Sequence, residues 1–311
     1  MSLVLERALQ VKNQAEDMLL ERFTPQYKTE ILKIIKDTRD IIKQHGGRLL
    51  ILICLSLLTG CHKKQLGLSL CGEKVSTSTD VTKRQIFVML GHSNMSGRGQ
   101  EASSYSQDSR IIMLNAANKW TPAQEPTDYC PGGNIYLGDC DNAGVSPGMA
   151  FANEMLKHNS QLQIGLINCS KGGSTVESWQ YNQDDSLFAN CRDKINTARA
   201  EGQIAGVLIA LGENDSAYAN EWASKFTRLA RDLRGAVGDS MLPIVFSQVS
   251  STLDLSFCAN RDMVRAQQAS VSAHDLTMIS SEGLATWDGV HFTTGAQEEL
   301  GRRFAQGFIG D

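Results

Sequence analysis

Four short polar blocks in this chain carry the residue types that ester hydrolysis requires. Ser93 lies in a Gly-His-Ser-Asn-Met block, Asn214 in a Gly-Glu-Asn-Asp block, and Asp288 precedes His291 by three residues. The fourth block contains the glycine pair Gly172–Gly173. Hydrolysis of an acyl ester needs a nucleophile, a base that activates it, a group that orients the base, and donors for the oxyanion. Together the blocks predict an acyl-ester hydrolase site.

Ser93 is the candidate nucleophile because it closely follows an apolar run and is flanked by Gly91 and Gly97. Glycine lets the backbone turn sharply and expose the hydroxyl. The alternative is a serine that caps a helix, which is compatible with catalysis because a helix N-terminus also stabilises negative charge. The block is not Gly-x-Ser-x-Gly, so it does not match the nucleophile elbow of α/β-hydrolases.

His291 is the candidate base and Asp288 its orienting carboxylate. A spacing of three residues lets the carboxylate hold one ring nitrogen while the other faces the serine. His92 is a rival base because it adjoins Ser93. Adjacent residues on a turn usually point apart, so we expect His291 to act.

Candidate oxyanion donors are the backbone N–H groups of Ser93 and of Gly172 or Gly173, together with the Asn214 amide. Alone, the glycine pair is more typical of an ordinary strand-to-helix turn, and the alternative for Asn214 is a turn residue that caps a helix beginning near Asp215. Glu213 and Asp215 form a possible acid pair for glycoside cleavage. Because residues two apart need not converge on one sugar bond, we disfavour that function.

From residue 85 onward, apolar runs alternate with amphipathic stretches. The predicted strands are Gln85–Leu90, Arg110–Asn115, Gln163–Asn168, Ala205–Leu211, Pro243–Val249 and Leu276–Ile279. The predicted helices are Pro147–His158, Ser186–Ala200, Ala219–Val237, Asn260–Ala273 and Thr294–Phe308. This alternation predicts an α/β fold with a three-layer, doubly wound parallel sheet, whose active site lies at the carboxyl ends of the strands.

Composition narrows the possible partners. The formal net charge is −4 and no basic block contains interleaved aromatic residues, so nucleic acid is not expected as a partner. No Cys-x-x-Cys or His-rich cluster exists, so no metal site is expected. Six cysteines follow Cys61, an even number that allows disulfides in an exported protein. Cys130 and Cys140 flank a glycine-rich loop and are the preferred pair.

The N-terminal part predicts a signal-like extension in front of an esterase domain at residues 85–311. Residues 1–48 read as an amphipathic helical extension and residues 62–84 as a linker. Residues 49–61 begin with ten uncharged, mostly apolar residues and end in Leu-Thr-Gly-Cys61, which resembles the lipobox of bacterial lipoproteins, where the cysteine is lipidated. The alternative is a buried strand or helix ending in Gly-Cys. Either the start codon is assigned too far upstream, which we favour, or residues 1–48 are a cytoplasmic extension.

The blocks resemble those of the SGNH hydrolase superfamily, in particular its sialic-acid acetylesterase-like (SASA) branch, carbohydrate esterase family 6. Gly91–Gly97 is similar to that branch's Gly-Gln-Ser-Asn-Met-x-Gly, with His92 in place of the usual Gln. Ala143–Ala152 resembles its Gly-x-Gly-Pro…Phe-Ala block, Gly172–Trp179 its Gly-Gly-(Ser/Thr)…Trp block, and Asp288–Phe292 its terminal Asp-x-x-His. Gly212–Asp215 stands where the branch often has Gly-Glu-Ser-Asp, and keeps the Asn of the wider superfamily.

The resemblance implies an SGNH/flavodoxin-like fold and a serine esterase that removes O-acetyl groups from carbohydrate, either sialic acid or acetylated xylan, without a cofactor. Ser93 would be acetylated, His291 would be the base, and Asp288 would orient it. Arg98, Trp179 and Tyr181 are candidate sugar contacts. With the lipobox it implies a lipid-anchored protein of the bacterial cell envelope. The alternatives are another SGNH lipase or thioesterase activity, and a catalytically silent carbohydrate-binding lipoprotein.

We predict that the chain is cleaved before Cys61 and lipidated on that cysteine, because an apolar ten-residue run ends in Leu-Thr-Gly-Cys. Mass spectrometry of the protein from its native membrane should find a lipid-modified N-terminal Cys61. Recovery of a mature chain that still carries residues 1–48 would contradict the prediction.

Overall fold

The computed structural model describes residues 84–128, 142–181 and 187–310. The predicted helical extension, signal segment and Cys61, the linker up to residue 83, and the Cys130–Cys140 pair lie outside these ranges. No helix of the described residues is long and apolar enough to cross a membrane.

The described residues form one seven-stranded sheet. Its strands are β1 (Arg84–Gly91), β2 (Ile111–Leu114), β3 (Trp120–Pro122), β4 (Ile164–Asn168), β5 (Gly202–Ala210), β6 (Ile244–Ser247) and β7 (Leu276–Ile279). Their spatial order is β3-β2-β4-β1-β5-β6-β7. Strand β3 pairs antiparallel with β2, and every other pair in this sheet is parallel.

Helices cover both faces of the sheet. They are α1 (Ser93–Ser96), α2 (Gly148–His158), α3 (Leu187–Ala198), α4 (Trp222–Val237), α5 (Arg261–Ser270) and α6 (Thr294–Ile309), with a 3₁₀ helix at Ser216–Glu221. Buried side chains of α3, α4 and α5 share one apolar core, and those of α2 and α6 share the other. The predicted three-layer α/β fold with a doubly wound sheet is confirmed.

Strand β1 runs through the centre of the sheet and supplies both cores. Ile86, Val88 and Leu90 join the core of α3 to α5, whereas Phe87 and Met89 join the core of α2 and α6. Because both faces of β1 are buried, its sequence does not alternate between apolar and polar residues but is almost continuously apolar. The first catalytic block follows this strand directly.

The sequence did not predict β3, a three-residue antiparallel strand at the sheet edge that contains Pro122. Proline is tolerated at an edge because the missing N–H does not interrupt the sheet. A second unpredicted feature is the disulfide between Cys169 and Cys191. It joins the residue after β4 to helix α3, whereas the sequence favoured a different pair.

Candidate active site

Gly91 makes the turn that presents Ser93. It ends β1 with a φ of +147°, and a Cβ at this position would lie 2.0 Å from the carbonyl oxygen of Ala210 on β5. Only glycine fits this close approach of two backbones. The chain then turns through His92 into α1, whose first residue is Ser93, at the wall of an open cavity of about 950 Å³.

Asp288 and His291 form the expected hydrogen-bonded chain to Ser93. His291 Nδ1 lies 2.6 Å from Asp288 Oδ2, and His291 Nε2 lies 2.9 Å from Ser93 Oγ. The ionised carboxylate only accepts, so Nδ1 carries the hydrogen and Nε2 of the neutral ring is free to accept from the hydroxyl. The structure thus brings the predicted nucleophile, base and orienting carboxylate together.

The Asp288 carboxylate is held in its charged form by local hydrogen bonds. Its Oδ1 accepts the backbone N–H groups of His291, at 2.7 Å, and of Val290, at 3.0 Å. Burial raises the pKa of this carboxyl, but the two backbone bonds and the imidazole together outweigh it and leave the pKa below its usual value. An ionised Asp288 is the form that can orient His291.

His92 also contacts the nucleophile, which the sequence did not predict. Its Nδ1 lies 2.7 Å from Ser93 Oγ, so the expectation that these adjacent side chains point apart is wrong. The reason is local: His92 has an extended backbone and Ser93 a helical one, which places both side chains on the same side. His92 is only 6% exposed. Burial, more than any other cause, lowers its pKa.

The predicted oxyanion residues line the same cavity as Ser93. Asn214 Nδ2 donates to the carbonyl oxygen of Gly173 at 2.8 Å, which fixes the amide beside the glycine turn. Asn214 does not cap a helix, because the 3₁₀ helix starts after Asp215 without a side-chain cap. Within the described ranges, the N–H of Gly173 donates to no other protein group.

Glu213 and Asp215 do not converge on the cavity. Glu213 lines it, but Asp215 is fully buried and accepts from the Val176 N–H at 2.8 Å and from Trp222 Nε1 at 3.1 Å. Burial raises the pKa of Asp215 to about 7. This carboxyl therefore anchors the turn after β5 to the core. Glu213 and Asp215 thus do not face one sugar bond together, as glycoside cleavage would require. No group of three His, Cys, Asp or Glu side chains in the described ranges could hold a metal ion.

The three predicted sugar contacts have different outcomes. Arg98 lines the cavity. Trp179 is 0% exposed and its Nε1 donates to Ser174 Oγ at 3.0 Å, so its predicted sugar contact is wrong: the indole fills the core instead. Tyr181 is half-exposed, but it packs against Phe188 and Arg192 and does not line this cavity.

Two aromatic residues at the cavity were missed. Trp287 is 46% exposed, its ring stacks on His291 with centroids 5.6 Å apart, and its Nε1 donates to the Arg98 carbonyl oxygen at 3.2 Å. Phe257 is similarly exposed and lines the same cavity. The position of Trp287 directly before Asp288 was a usable signal, whereas Phe257 lies in an irregular loop that carries no motif.

Asn94 ties the segments of the site together. Its Nδ2 donates to Glu213 Oε1 and to the Val290 carbonyl oxygen, both at 3.0 Å, and its Oδ1 accepts the Phe292 N–H at 3.1 Å. Asn94 is completely buried. It therefore clamps the backbone on both sides of His291 to the turn that bears Ser93.

A mostly parallel α/β sheet with a Ser-His-Asp chain at the carboxyl ends of its strands defines a protein with a serine-hydrolase type of site. Within that class, residues 83–310 match the family described as carbohydrate esterase, sialic acid-specific acetylesterase. The chain belongs to this family.

Known relatives agree with that membership. A protein of Arabidopsis thaliana named "Probable carbohydrate esterase" is 28% identical over 260 residues, which span 76% of this chain and 95% of the relative. An X-ray structure from the same plant is 27% identical with a TM-score of 0.66, covering 74% of this chain and 99% of the other. A carbohydrate acetylesterase from Xanthomonas citri shares the fold, with 17% identity, a TM-score of 0.56, and coverage of 73% and 57%.

We predict that Asn94→Ala lowers both stability and activity. The substitution leaves the Val290 carbonyl, the Phe292 N–H and Glu213 Oε1 without their partner, and an unsatisfied buried polar group costs about 1–3 kcal/mol. Urea unfolding should show a loss of about 2–4 kcal/mol, and the kcat per folded molecule should fall because His291 is no longer held.

Asn153→Ala is the matched control, because that amide makes one bond to a carbonyl within α2 and does not line the cavity. It should change both quantities little. An Asn94→Ala protein with the wild-type kcat would show that the clamp does not position His291.

Proposed function

We propose that this protein is a serine esterase that removes O-acetyl groups from carbohydrate, with sialic acid or acetylated xylan as the substrate class. The observation that carries the proposal is the chain of hydrogen bonds from Asp288 through His291 to Ser93, at 2.6 and 2.9 Å. Membership of a carbohydrate esterase family supports the acetylated sugar. Assignment to carbohydrate esterase family 6 rests on the sequence blocks and stays a prediction.

In the proposed reaction, Ser93 Oγ attacks the acetyl carbonyl while its proton moves to His291 Nε2. Asp288 holds the ring in the required tautomer and stabilises its charged form. The tetrahedral oxyanion accepts hydrogen bonds from the N–H groups of Ser93 and of Gly172 or Gly173, and from the Asn214 amide. His291 then protonates the departing sugar oxygen. Water, activated by the same ring, hydrolyses the acetyl-Ser93 ester.

The exposed Trp287 in the cavity wall supports the proposal that the alcohol part of the ester is a sugar. Trp287 is fixed on one side by His291 and at its Nε1 by the Arg98 carbonyl, yet it remains nearly half exposed. An exposed, immobilised indole offers apolar area at little entropic cost, which suits the C–H face of a pyranose ring. Arg98, which also lines the cavity, supplies a polar group for its hydroxyls.

Two other functions remain alternatives. A longer-chain lipase or thioesterase of the same fold would use the same Ser93 chemistry, and a series of acyl esters of rising length separates it from an acetylesterase. A silent carbohydrate-binding protein would have no need of Ser93, His291, Asp288 and Asn214 together. We also propose, from the Leu-Thr-Gly-Cys61 pattern, that the esterase is lipid-anchored at the bacterial cell envelope.

We predict that His291→Ala abolishes most turnover of acetylated sugars, because removal of the base from such a site costs several orders of magnitude in kcat. Asp288→Asn should lose less, because Asp288 does not itself carry the transferred proton. The assay is acetate release from O-acetylated sialic acid and acetylated xylooligosaccharides, with thermal unfolding as the test of folding.

His274→Ala is the matched control, since His274 also contacts an aspartate, Asp275, but does not line the cavity. It should leave kcat unchanged. If a folded wild-type protein binds acetylated sugars but releases no acetate from any of them, the esterase proposal fails and the silent binding protein replaces it.

We predict that Trp287→Ala raises the KM for acetylated sugars about tenfold, which corresponds to about 1.4 kcal/mol of lost stacking. Trp287→Phe should keep part of this contact and most of the packing on His291. With ethyl acetate, which has no sugar ring, the effect of Trp287→Ala on kcat/KM should be much smaller.

Tyr181→Ala removes an exposed aromatic residue outside the cavity and should not change either substrate's kinetics. Equal losses on the sugar ester and on ethyl acetate would show that Trp287 supports His291 and does not bind the sugar.

A further inference from the structure

The nucleophilic oxygen has two imidazole neighbours. His92 Nδ1 lies 2.7 Å from Ser93 Oγ and His291 Nε2 lies 2.9 Å from the same atom. The mechanism above uses only His291. The shorter of the two contacts is therefore unassigned, and it involves a side chain that is almost completely buried.

Counting protons assigns the direction of each bond. The hydroxyl of Ser93 has one hydrogen. His291 Nδ1 donates to Asp288, so its Nε2 is the acceptor and receives that hydrogen. Since the hydroxyl has no second hydrogen, the contact with His92 is a hydrogen bond only if His92 Nδ1 donates to Oγ. His92 is then the neutral tautomer with its hydrogen on Nδ1.

The surroundings of His92 favour this neutral form. Burial lowers the pKa of the ring, and the positive charges of His291, when protonated, and of Arg98 lower it further. Glu213 is the facing charge that acts in the opposite direction. A group whose pKa lies below its usual value stays neutral over a wider pH range, so the same tautomer can persist while His291 gains and loses its proton.

We propose that His92 is a second catalytic histidine, which donates a hydrogen bond from Nδ1 to Ser93 Oγ and acts as a fixed donor, never as the base. This inference rests on the proposed esterase function. The donated bond occupies one lone pair of the oxygen and directs the hydroxyl hydrogen to His291. The remaining lone pair is the one left to attack the acetyl carbon.

The same donor serves both halves of the reaction without changing its own protonation. In acylation, the bond from Oγ to the acetyl carbon forms as the hydroxyl proton passes to His291, and the bond from that carbon to the alcohol oxygen breaks as His291 protonates the oxygen. In deacylation, the bond from water's oxygen to the carbon forms as a water proton passes to His291, the Oγ–carbon bond breaks, and Oγ recovers a proton from His291. His92 keeps its hydrogen throughout and stabilises the negative charge that develops on Oγ, because a hydrogen bond to a charged acceptor is stronger than one to a neutral acceptor.

The decisive comparison is between His92→Phe, which keeps a buried ring without a donor, and His92→Gln, which keeps a neutral N–H donor. The measurements are kcat and KM for 4-nitrophenyl acetate, the rate of Ser93 labelling by a fluorophosphonate, and the thermal midpoint. We expect His92→Phe to lower kcat and the labelling rate about 10- to 100-fold with little change in KM, as for one lost bond to a developing charge. His92→Gln should recover most of that loss.

The pH profile separates a fixed donor from a base. In His92→Gln, the acid limb of kcat/KM should keep its wild-type shape, because the proposed base is His291 and not His92. Loss of the acid limb in His92→Gln would make His92 the base and overturn the proposal. A folded His92→Phe protein with the wild-type kcat would overturn it as well, and so would equal losses in the Phe and Gln variants. His274→Phe, a ring change outside the cavity, should leave kcat unchanged.

These assays do not depend on a sugar. A wild-type protein that hydrolyses 4-nitrophenyl acetate but no acetylated carbohydrate would contradict the proposed substrate, while the His92 variants would still decide the role of His92. A wild-type Ser93 that reacts with neither the ester nor the fluorophosphonate would overturn both proposals.

Discussion

The interaction on which the rest of the site depends is the set of three hydrogen bonds made by Asn94. Ser93 and His291 form a hydrogen bond although they are 198 residues apart in the sequence, so their two segments must be held together. The side-chain amide of Asn94 holds them together. It hydrogen-bonds the backbone of Val290 and of Phe292, the residues on either side of His291. Its third bond, to Glu213, brings in the loop after β5 that also bears Asn214.

The sheet explains why those segments meet at one place. From β1 at the centre of the sheet, the chain forms β2, β3 and β4 on one side and then crosses over to form β5, β6 and β7 on the other. The loops after β4 and β5 therefore leave the sheet on opposite sides of β1, which opens a crevice at the point where the strand order reverses. Ser93 lies at the end of β1 in this crevice, with Gly173 on one side and Asn214 on the other.

Much of this arrangement could be predicted from the sequence. The apolar strands and the polar residues that follow them placed Ser93, Gly172–Gly173 and Asn214 at one edge of the sheet. The Asp-x-x-His spacing predicted the contact between Asp288 and His291, since that contact is local. These positions could be predicted because they depend on periodicity and spacing, which can be read directly from the sequence, whereas the catalytic roles of the residues stay predictions.

What failed depended on the direction of single side chains and on contacts between distant segments. Trp179 lies near a motif, but the sequence does not state which face of a loop packs into the core. His92 was expected to turn away from Ser93, yet a change of backbone conformation between the two aligned them. Cys169 and Cys191 pair because α3 packs over the end of β4, and Phe257 reaches the cavity from an irregular loop. Neither contact is marked by a periodicity or a motif in the sequence.

The position of His291 has a consequence for the order in which activity arises during synthesis. All seven strands of the described sheet precede residue 280, so the sheet strands, Ser93 and the glycine turn are all synthesised before the predicted base. The segment with Asp288 and His291 follows, and α6 then packs against α2, where Gly301 fits against the carbonyl oxygen of Pro147 because it lacks a side chain. A chain that stopped before residue 288 would thus lack both the predicted base and α6, which completes one of the two apolar cores.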